Sequence, residues 1–367
     1  MTVDDATVIL GIETSCDETA AAVVMGGNDV LSSVVATQIE EHARFGGVVP
    51  EVASRAHLES IVPVVRQAFD EAGILPSRVD LVAATAGPGL IGALLVGVSA
   101  AKSLALAWDK PFIGVNHLEA HLYAGLLDDP TLEFPLVVLL VSGGHTMIIE
   151  MRGHGDYTIL GRTIDDAAGE AYDKVAKLLG LGYPGGPVID RLARGGNDRA
   201  VALPKTRLTH ADRNAPHLSG RRDFSFSGLK TAILYFLQNA GRSQVYKEEW
   251  IATQEEQQKF IQDNLNDLCA SIQERIISIL LNKLKKASKQ TGIKEICIAG
   301  GVSANSGLRK ALRKWGETNG WKTYIPAFMY CTDNAGMIAI TGYYKFLEGK
   351  FDELNIPVTA RTDMNFS

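Results

Sequence analysis

Long apolar runs, paired cysteines, a net positive charge and the two familiar phosphate-loop signatures are all missing from this chain of 367 residues. The longest purely aliphatic stretch, Leu136 to Val141, is far shorter than the roughly 20 residues that cross a bilayer, so no membrane association is expected. Asp4 and Asp5 stand where a secretory signal would carry bases, which predicts no signal peptide. The four cysteines, Cys16, Cys269, Cys297 and Cys331, show no paired spacing, and reduced thiols in a cytoplasmic protein are the expectation. At a formal charge of −6 the molecule as a whole is no obvious binder of polyanions. No Gly-x-x-x-x-Gly-Lys-Ser/Thr occurs. The stretch Ala86-Gly-Pro-Gly-Leu-Ile-Gly92 lacks dinucleotide-loop spacing and reads as a structural strand-to-helix connection.

What is present describes a soluble globular protein, 46% apolar and 21% charged, and too long for one ordinary core. The chain opens with a buried-strand pattern, Val8 to Ile12, a small-polar turn, Glu13 to Thr19, an apolar run from Ala20 to Val24, and a third strand near Val30 to Ala36. The same plan recurs as Val137 to Val141, the turn Ser142 to Thr146, Met147 to Glu150, and Tyr157 to Leu160, which suggests a duplicated architecture. Between the copies, a helix pattern over 50–72, a strand at 79–85, a helix at 92–108 and a strand at 111–115 signal α/β layering. After the second copy, 166–179 reads as a helix that ends in the cluster Gly180-Leu-Gly-Tyr-Pro-Gly-Gly-Pro187. Residues 188–290 read as mostly helical and polar. A strand at 293–298 and a helix at 308–318 follow.

His117 and His121 carry the most chemical information. A four-residue spacing on a helix points both imidazoles the same way, and one oxygen ligand would complete a metal site. Asp333, just ahead of a helix-like run, is the candidate. Two half-buried histidines with unrelated partners are the alternative. A zinc peptidase would need its general base directly after the first histidine, and that position is Leu118, with Glu119 one residue late. Three strand-to-turn segments, Glu13 to Asp17, Ser142 to Thr146 and Gly300 to Asn305, can turn backbone N–H groups toward a phosphate, although each alone is ordinary turn chemistry. Together they favour a nucleotide-like ligand between two lobes. From Arg191 to Lys230 nine bases face three acids, interleaved with His210, His217, Phe224 and Phe226. This segment is either a solvated loop or a phosphate-backbone contact with stacking groups.

Taken together, Gly11-Ile-Glu-Thr-Ser-Cys-Asp-Glu-Thr19, Gly46-Gly-Val-Val-Pro-Glu-Val-Ala-Ser-Arg55, Asn116-His-Leu-Glu-Ala-His121 and Leu140-Val-Ser-Gly-Gly-His-Thr146 closely resemble the tRNA threonylcarbamoyladenosine synthases, the TsaD family. So do Asp165 to Ala171, Tyr183 to Pro187, Phe224 to Lys230, Ala299 to Asn305 and Cys331 to Ala335; Gln244 to Gln273 and the tail after Leu347 match only loosely. The resemblance implies a duplicated actin-like α/β fold of two lobes around a central cleft. Residues 1–134 would form the first lobe, 135–350 the second with a helical insertion at about 188–290, and 351–367 a tail. It implies transfer of the threonylcarbamoyl group from threonylcarbamoyl-adenylate to the exocyclic amine of the adenosine 3′ of the anticodon, in tRNAs reading codons that begin with adenosine. One divalent metal, iron or zinc, would be held by His117, His121 and Asp333. Leu140, Val141, Ser142, Gly143, Gly144, Asp173, Gly186, Asp190 and Asn305 would line the nucleotide and acyl-adenylate pocket. Implied partners are tRNA, a TsaB-like paralogue, a TsaE-like ATPase and a TsaC-like synthase. Because the donor is already activated, no serine or cysteine nucleophile is needed, and Cys16 reads as a packed turn residue. Asp17 or Glu13 is the candidate acceptor of the amine proton. The rivals are an ATP-dependent phosphotransferase or chaperone of the same fold, a metallopeptidase, and a nucleotide-gated scaffold.

Overall fold

The computed structural model describes residues 6–129, 131–203, 222–239 and 253–361. Val8–Glu13 (β1) is buried along its whole length, as an apolar strand without alternation should be when both faces of its sheet are covered. It pairs antiparallel with Glu18–Met25 (β2), which pairs antiparallel with Asp29–Thr37 (β3). On its other side β1 runs parallel to Leu81–Gly87 (β4), and β4 to Phe112–Asn116 (β5). The second sheet repeats this plan with Leu136–Val141 (β6) at its centre, antiparallel Thr146–Gly153 (β7) and Asp156–Arg162 (β8) to one side, and parallel Glu295–Ala299 (β9) and Lys322–Tyr324 (β10) to the other. The orders β3-β2-β1-β4-β5 and β8-β7-β6-β9-β10 are the same order twice.

Helices sit in three layers around the two sheets. After the short helix Ile39–Ala43 (α1), Pro50–Ala72 (α2) and Ile91–Trp108 (α3) cover the outer face of the first sheet through Val64, Ala68, Phe69, Val98 and Ala101. Among the described residues α3 alone is long and apolar enough, at a mean hydropathy of 1.7, to cross a membrane by length and composition. No run of purely aliphatic residues gave it away, because Gly92, Gly97, Ser99, Lys102 and Ser103 interrupt it. Its face of Ala93, Leu94, Gly97, Val98, Ala101 and Ala105 is buried.

The outer face of the second sheet is covered by Ala168–Leu178 (α5), Gly185–Ala193 (α6), Ser227–Gln238 (α7), Gln254–Asp263 (α8), Leu265–Thr291 (α9) and Ser306–Asn319 (α10). The glycine- and proline-rich cluster at 180–187 does end α5, but α6 begins inside it, at Gly185. Polar as it is in composition, α9 buries a stripe of Leu268, Ile272, Ile276, Leu280 and Leu284. Part of the basic segment, including Lys205, Arg207, His210, Arg213, His217 and Arg221, lies outside the described residues. Phe224 and Phe226, expected as stacking groups for a nucleic acid, are instead fully buried in this core and stack on each other 6.2 Å apart. Two aromatics two residues apart match a buried, strand-like stretch as well as a stacking surface, and the sheet claimed them.

Between the sheets lie His117–Asp128 (α4) and Ala335–Leu347 (α11), sharing one core with Ile9, Ala83, Val138 and Ile149. α11 follows the second sheet in sequence yet packs on the first: a Cβ on Gly11 of β1 would lie 2.3 Å from Ala335 O and 2.9 Å from Ala339 N. Only glycine allows that approach. A division of the sequence at 134/135 thus separates the strands but not the helices.

Candidate metal centre and its cavity

All the parallel strands of both sheets run toward one cavity of about 1100 Å³, where the loops at their carboxyl ends meet. This is where ligands bind in open α/β sheets. β5 runs straight into α4, and Asn116 caps the helix by accepting from Leu118 N and Glu119 N, which sets His117 at its first position. His121 follows one turn later. At the other end of the sequence Asn334 caps α11 by accepting from Met337 N. The capping role therefore falls to Asn334, and the Asp333 carboxylate is free to turn to the histidines: its Oδ1 lies 3.1 Å from His121 Nε2 and 3.6 Å from His117 Nε2.

The donor atoms of these three residues all lie within 4.8 Å of one another. Both nitrogens of the buried His121 lack a hydrogen-bond partner, so the short approach of Nε2 to Asp333 is not aligned as a hydrogen bond. Two groups aimed at a common point rather than at each other have this geometry, and two imidazoles with one carboxylate are a fitting donor set for a divalent transition metal. Behind His117, Glu13 Oε2 lies 3.1 Å from Nδ1 and accepts from Thr85 Oγ1 at 2.6 Å, while Glu13 Oε1 takes the Ser15 N–H. A carboxylate on the far nitrogen of a ligand histidine fixes its tautomer and orientation.

The electrostatics favour a cation here. Burial disfavours charge on His117, but Asp333 and Glu13 outweigh it and raise its pKa to about 9. Burial pushes Asp333 up, and the facing histidines bring it down to about 2. On the cavity wall, burial with the charge of His117 and His121 lowers His145 to about 4, leaving a neutral ring. Burial, reinforced by Asp333 and Asp17, raises Glu18 to about 10. Burial also pushes the Cys16 thiol up, away from the nucleophilic thiolate, as expected for a packed turn residue. With Glu18 neutral, five carboxylates and three arginines still line the cavity, so an anionic ligand needs further positive charge to sit there.

Seven of the nine expected pocket residues, Ser142, Gly143, Gly144, Asp173, Gly186, Asp190 and Asn305, line the cavity. Leu140 and Val141 do not: they are fully buried β6 residues that pack into the cores on opposite faces of the second sheet and only hold the loop in place. Ser142 N–H donates to His145 O at 2.8 Å and closes that loop, and nothing lies within 4 Å of where a Cβ on Gly143 or Gly144 would stand. Asn305 caps α10 through Leu308 N and donates to Gln273, while Asp190 accepts from Ser306 Oγ and Arg194. Asp17 lines the cavity, whereas Glu13 lies behind His117. The connection after β4, expected to be purely structural, also forms wall: Pro88, Gly89 and Leu90 line the cavity, and Leu90 N–H holds Ser15 O at 2.8 Å. Its closely spaced glycines were the available signal. Glu119 turns away from the two histidines, paired with Lys345 at 2.8 Å, so it does not serve as a peptidase's general base.

A family profile described as TsaD, tRNA N6-adenosine threonylcarbamoyltransferase, matches residues 29–340. The chain belongs to that family. A relative of the same name from Symbiobacterium thermophilum is 50% identical over 348 residues, covering 95% of this chain and 94% of its own length. One from Riemerella anatipestifer is 47% identical over 361 residues, 98% of each chain. The solved structure of T. kodakarensis HypF covers 95% of this chain and 49% of that one at a TM-score of 0.58 and 16% identity, a likeness of fold alone. Component A of the (R)-2-hydroxyglutaryl-CoA dehydratase of Acidaminococcus fermentans gives 0.50 at 14% identity, covering 93% of this chain and 99% of that one.

Proposed function

We infer that this protein transfers a threonylcarbamoyl group to the exocyclic amine of adenosine in tRNA, and not a phosphoryl group or a peptide. The observation that carries this reading is the family match over residues 29–340. We take the donor to be threonylcarbamoyl-adenylate, made by a TsaC-like synthase, and the acceptor to be the adenosine 3′ of the anticodon in tRNAs reading codons that begin with adenosine. A TsaB-like paralogue and a TsaE-like ATPase complete the assembly. In the same reading the two sheets are the lobes of a duplicated actin-like fold, strands of 1–134 in one and of 135–350 in the other, with the cavity as the cleft.

In the reaction the N6 nitrogen forms a bond to the carbamoyl carbon, the bond from that carbon to the phosphate oxygen breaks, AMP leaves, and one N6 proton is lost. His117 and His121 would hold a divalent iron or zinc through Nε2 and Asp333 through its carboxylate; when bound, the ion offsets the donor's charge and polarises its acyl group. Open space lies beside Gly143 and Gly144, where side chains would otherwise stand, and leaves room for the adenylate phosphate to approach that turn. We assign Asp17 as acceptor of the N6 proton, because it borders the cavity whereas Glu13 is committed to Ser15, Thr85 and His117. Incubation of the protein, assembled with its TsaB-like and TsaE-like partners, with synthetic threonylcarbamoyl-adenylate and unmodified tRNA, followed by mass spectrometry of the nucleosides, tests the reading. Threonylcarbamoyladenosine should accumulate, and an Asp17→Ala protein should turn over roughly 100-fold or more slowly; peptide cleavage or phosphoryl transfer without it would refute the proposal.

A further inference from the structure

A line of hydrogen bonds through three buried side chains ties the segment ahead of α2 to the turn after β1. Val49 N–H donates to His42 Nδ1 at 3.3 Å, and His42 Nε2 lies 3.2 Å from Gln38 Oε1. A ring nitrogen that accepts from a backbone amide carries no proton, so His42 is protonated at Nε2 and donates to Gln38. The other amide atom of Gln38 is then a donor, and it lies 3.3 Å from His57 Nδ1, which also stands 2.7 Å from the Thr19 hydroxyl. His57 keeps its proton on Nε2, 3.0 Å from the Cys16 carbonyl, which can only accept. A backbone amide at one end and a carbonyl at the other force one direction through three side chains whose polarity is otherwise free. His42 and His57 are 0% exposed and Gln38 5%, so the three side chains themselves are shut off from solvent. The Gln38 main-chain N–H bonds the next carbonyl, Asp17 O, at 3.0 Å.

We propose that His42, Gln38 and His57 are positioning residues that fix the Cys16–Asp17 turn against the cavity wall made by Ile39 and Val48. All four of those turn and wall residues border the cavity. The three side chains do no chemistry; they act through Asp17, so the proposal rests on the assignment of Asp17 given above. Burial lowers the pKa of His57, and the groups facing it are Glu13, Asp17 and His42.

Nitrogen-15 NMR of histidine-labelled full-length protein near neutral pH should show both rings as Nε2–H tautomers, assigned by the signals lost in His42→Gln and His57→Gln. A proton on Nδ1 of either ring would overturn the relay. In the transfer assay, His57→Ala should lower kcat roughly 10- to 100-fold through misplacement of the turn, with KM for threonylcarbamoyl-adenylate within about twofold. His57→Gln, whose amide can still donate to Cys16 O, should recover most of the rate. Equal losses in the two variants, or wild-type kcat in His57→Ala, would contradict positioning. If the wild-type protein transfers nothing, the functional reading fails by itself, while the tautomers still decide the relay.

Discussion

Glu13 has three partners and no free face, so its value lies in what it does to His117. Replacing it by Gln keeps the shape but removes the charge behind the ligand, and metal affinity should fall roughly 10- to 100-fold as read by calorimetric titration. Unchanged affinity would make Glu13 a packing residue only. The same cluster gives the metal-free protein a particular pH dependence. His145 is held near 4 against an ordinary 6.5, so the unfolded chain takes up its proton first as the pH falls, and its contribution drops between those values. His117 acts in the opposite sense. Its contribution is complete below about 6.5 and is lost as the pH rises through about 9. Glu18, whose pKa is raised from 4.5 to about 10, opposes His145 between pH 4.5 and 6.5 and adds to His117 above it, so the melting temperature of metal-free protein should change little from pH 4.5 to 6.5 and fall from 6.5 to 9, less steeply in Glu13→Gln. A melting temperature rising steadily from pH 6.5 to 9 would count against the His117 pairing.

At the scale of elements, the site depends on helices arriving at the right angle. Asp333 reaches the histidines because α11 packs on β1 where Gly11 leaves no Cβ in the way. Gly11→Ala would push against main-chain atoms that cannot yield, at a cost of about 1–3 kcal/mol. Since the shift displaces the start of α11, metal affinity should fall along with the melting temperature; calorimetry that finds stability lost but affinity intact would uncouple the two. Elements also mark how much could be read beforehand. The two strand copies were legible because continuous apolar runs ending in small polar turns leave little choice of structure, and His117 with His121 because helical spacing alone places them together. The burial of Phe224 and Phe226, and the retreat of Leu140 and Val141 from the pocket, depend on which neighbours cover a strand. Nothing local in the sequence records that. The wall at Pro88 to Leu90 left a partial signal in its closely spaced glycines, but its place on the cavity depends on Ser15, which is remote in sequence.

At the scale of the molecule, the candidate metal ligands come from the two helices' ends that lie between the sheets, His117 and His121 from α4 and Asp333 from the residue before the cap of α11. A bound ion therefore clasps segments more than 200 residues apart in sequence. Ion at 100 times its dissociation constant should stabilise the fold by about 2.7 kcal/mol, seen as a fall in melting temperature on chelation that His121→Ala abolishes. The duplicated sheets aim both sets of loops at this point, so donor, acceptor and ion would meet where the repeats converge. X-ray absorption at the metal edge of the purified, metal-loaded protein addresses this most directly. The account predicts one ion per chain with two imidazole nitrogens and carboxylate oxygen at about 2.0–2.2 Å, lost in His121→Ala. A shell of oxygen alone, or an unchanged spectrum in that variant, would contradict it.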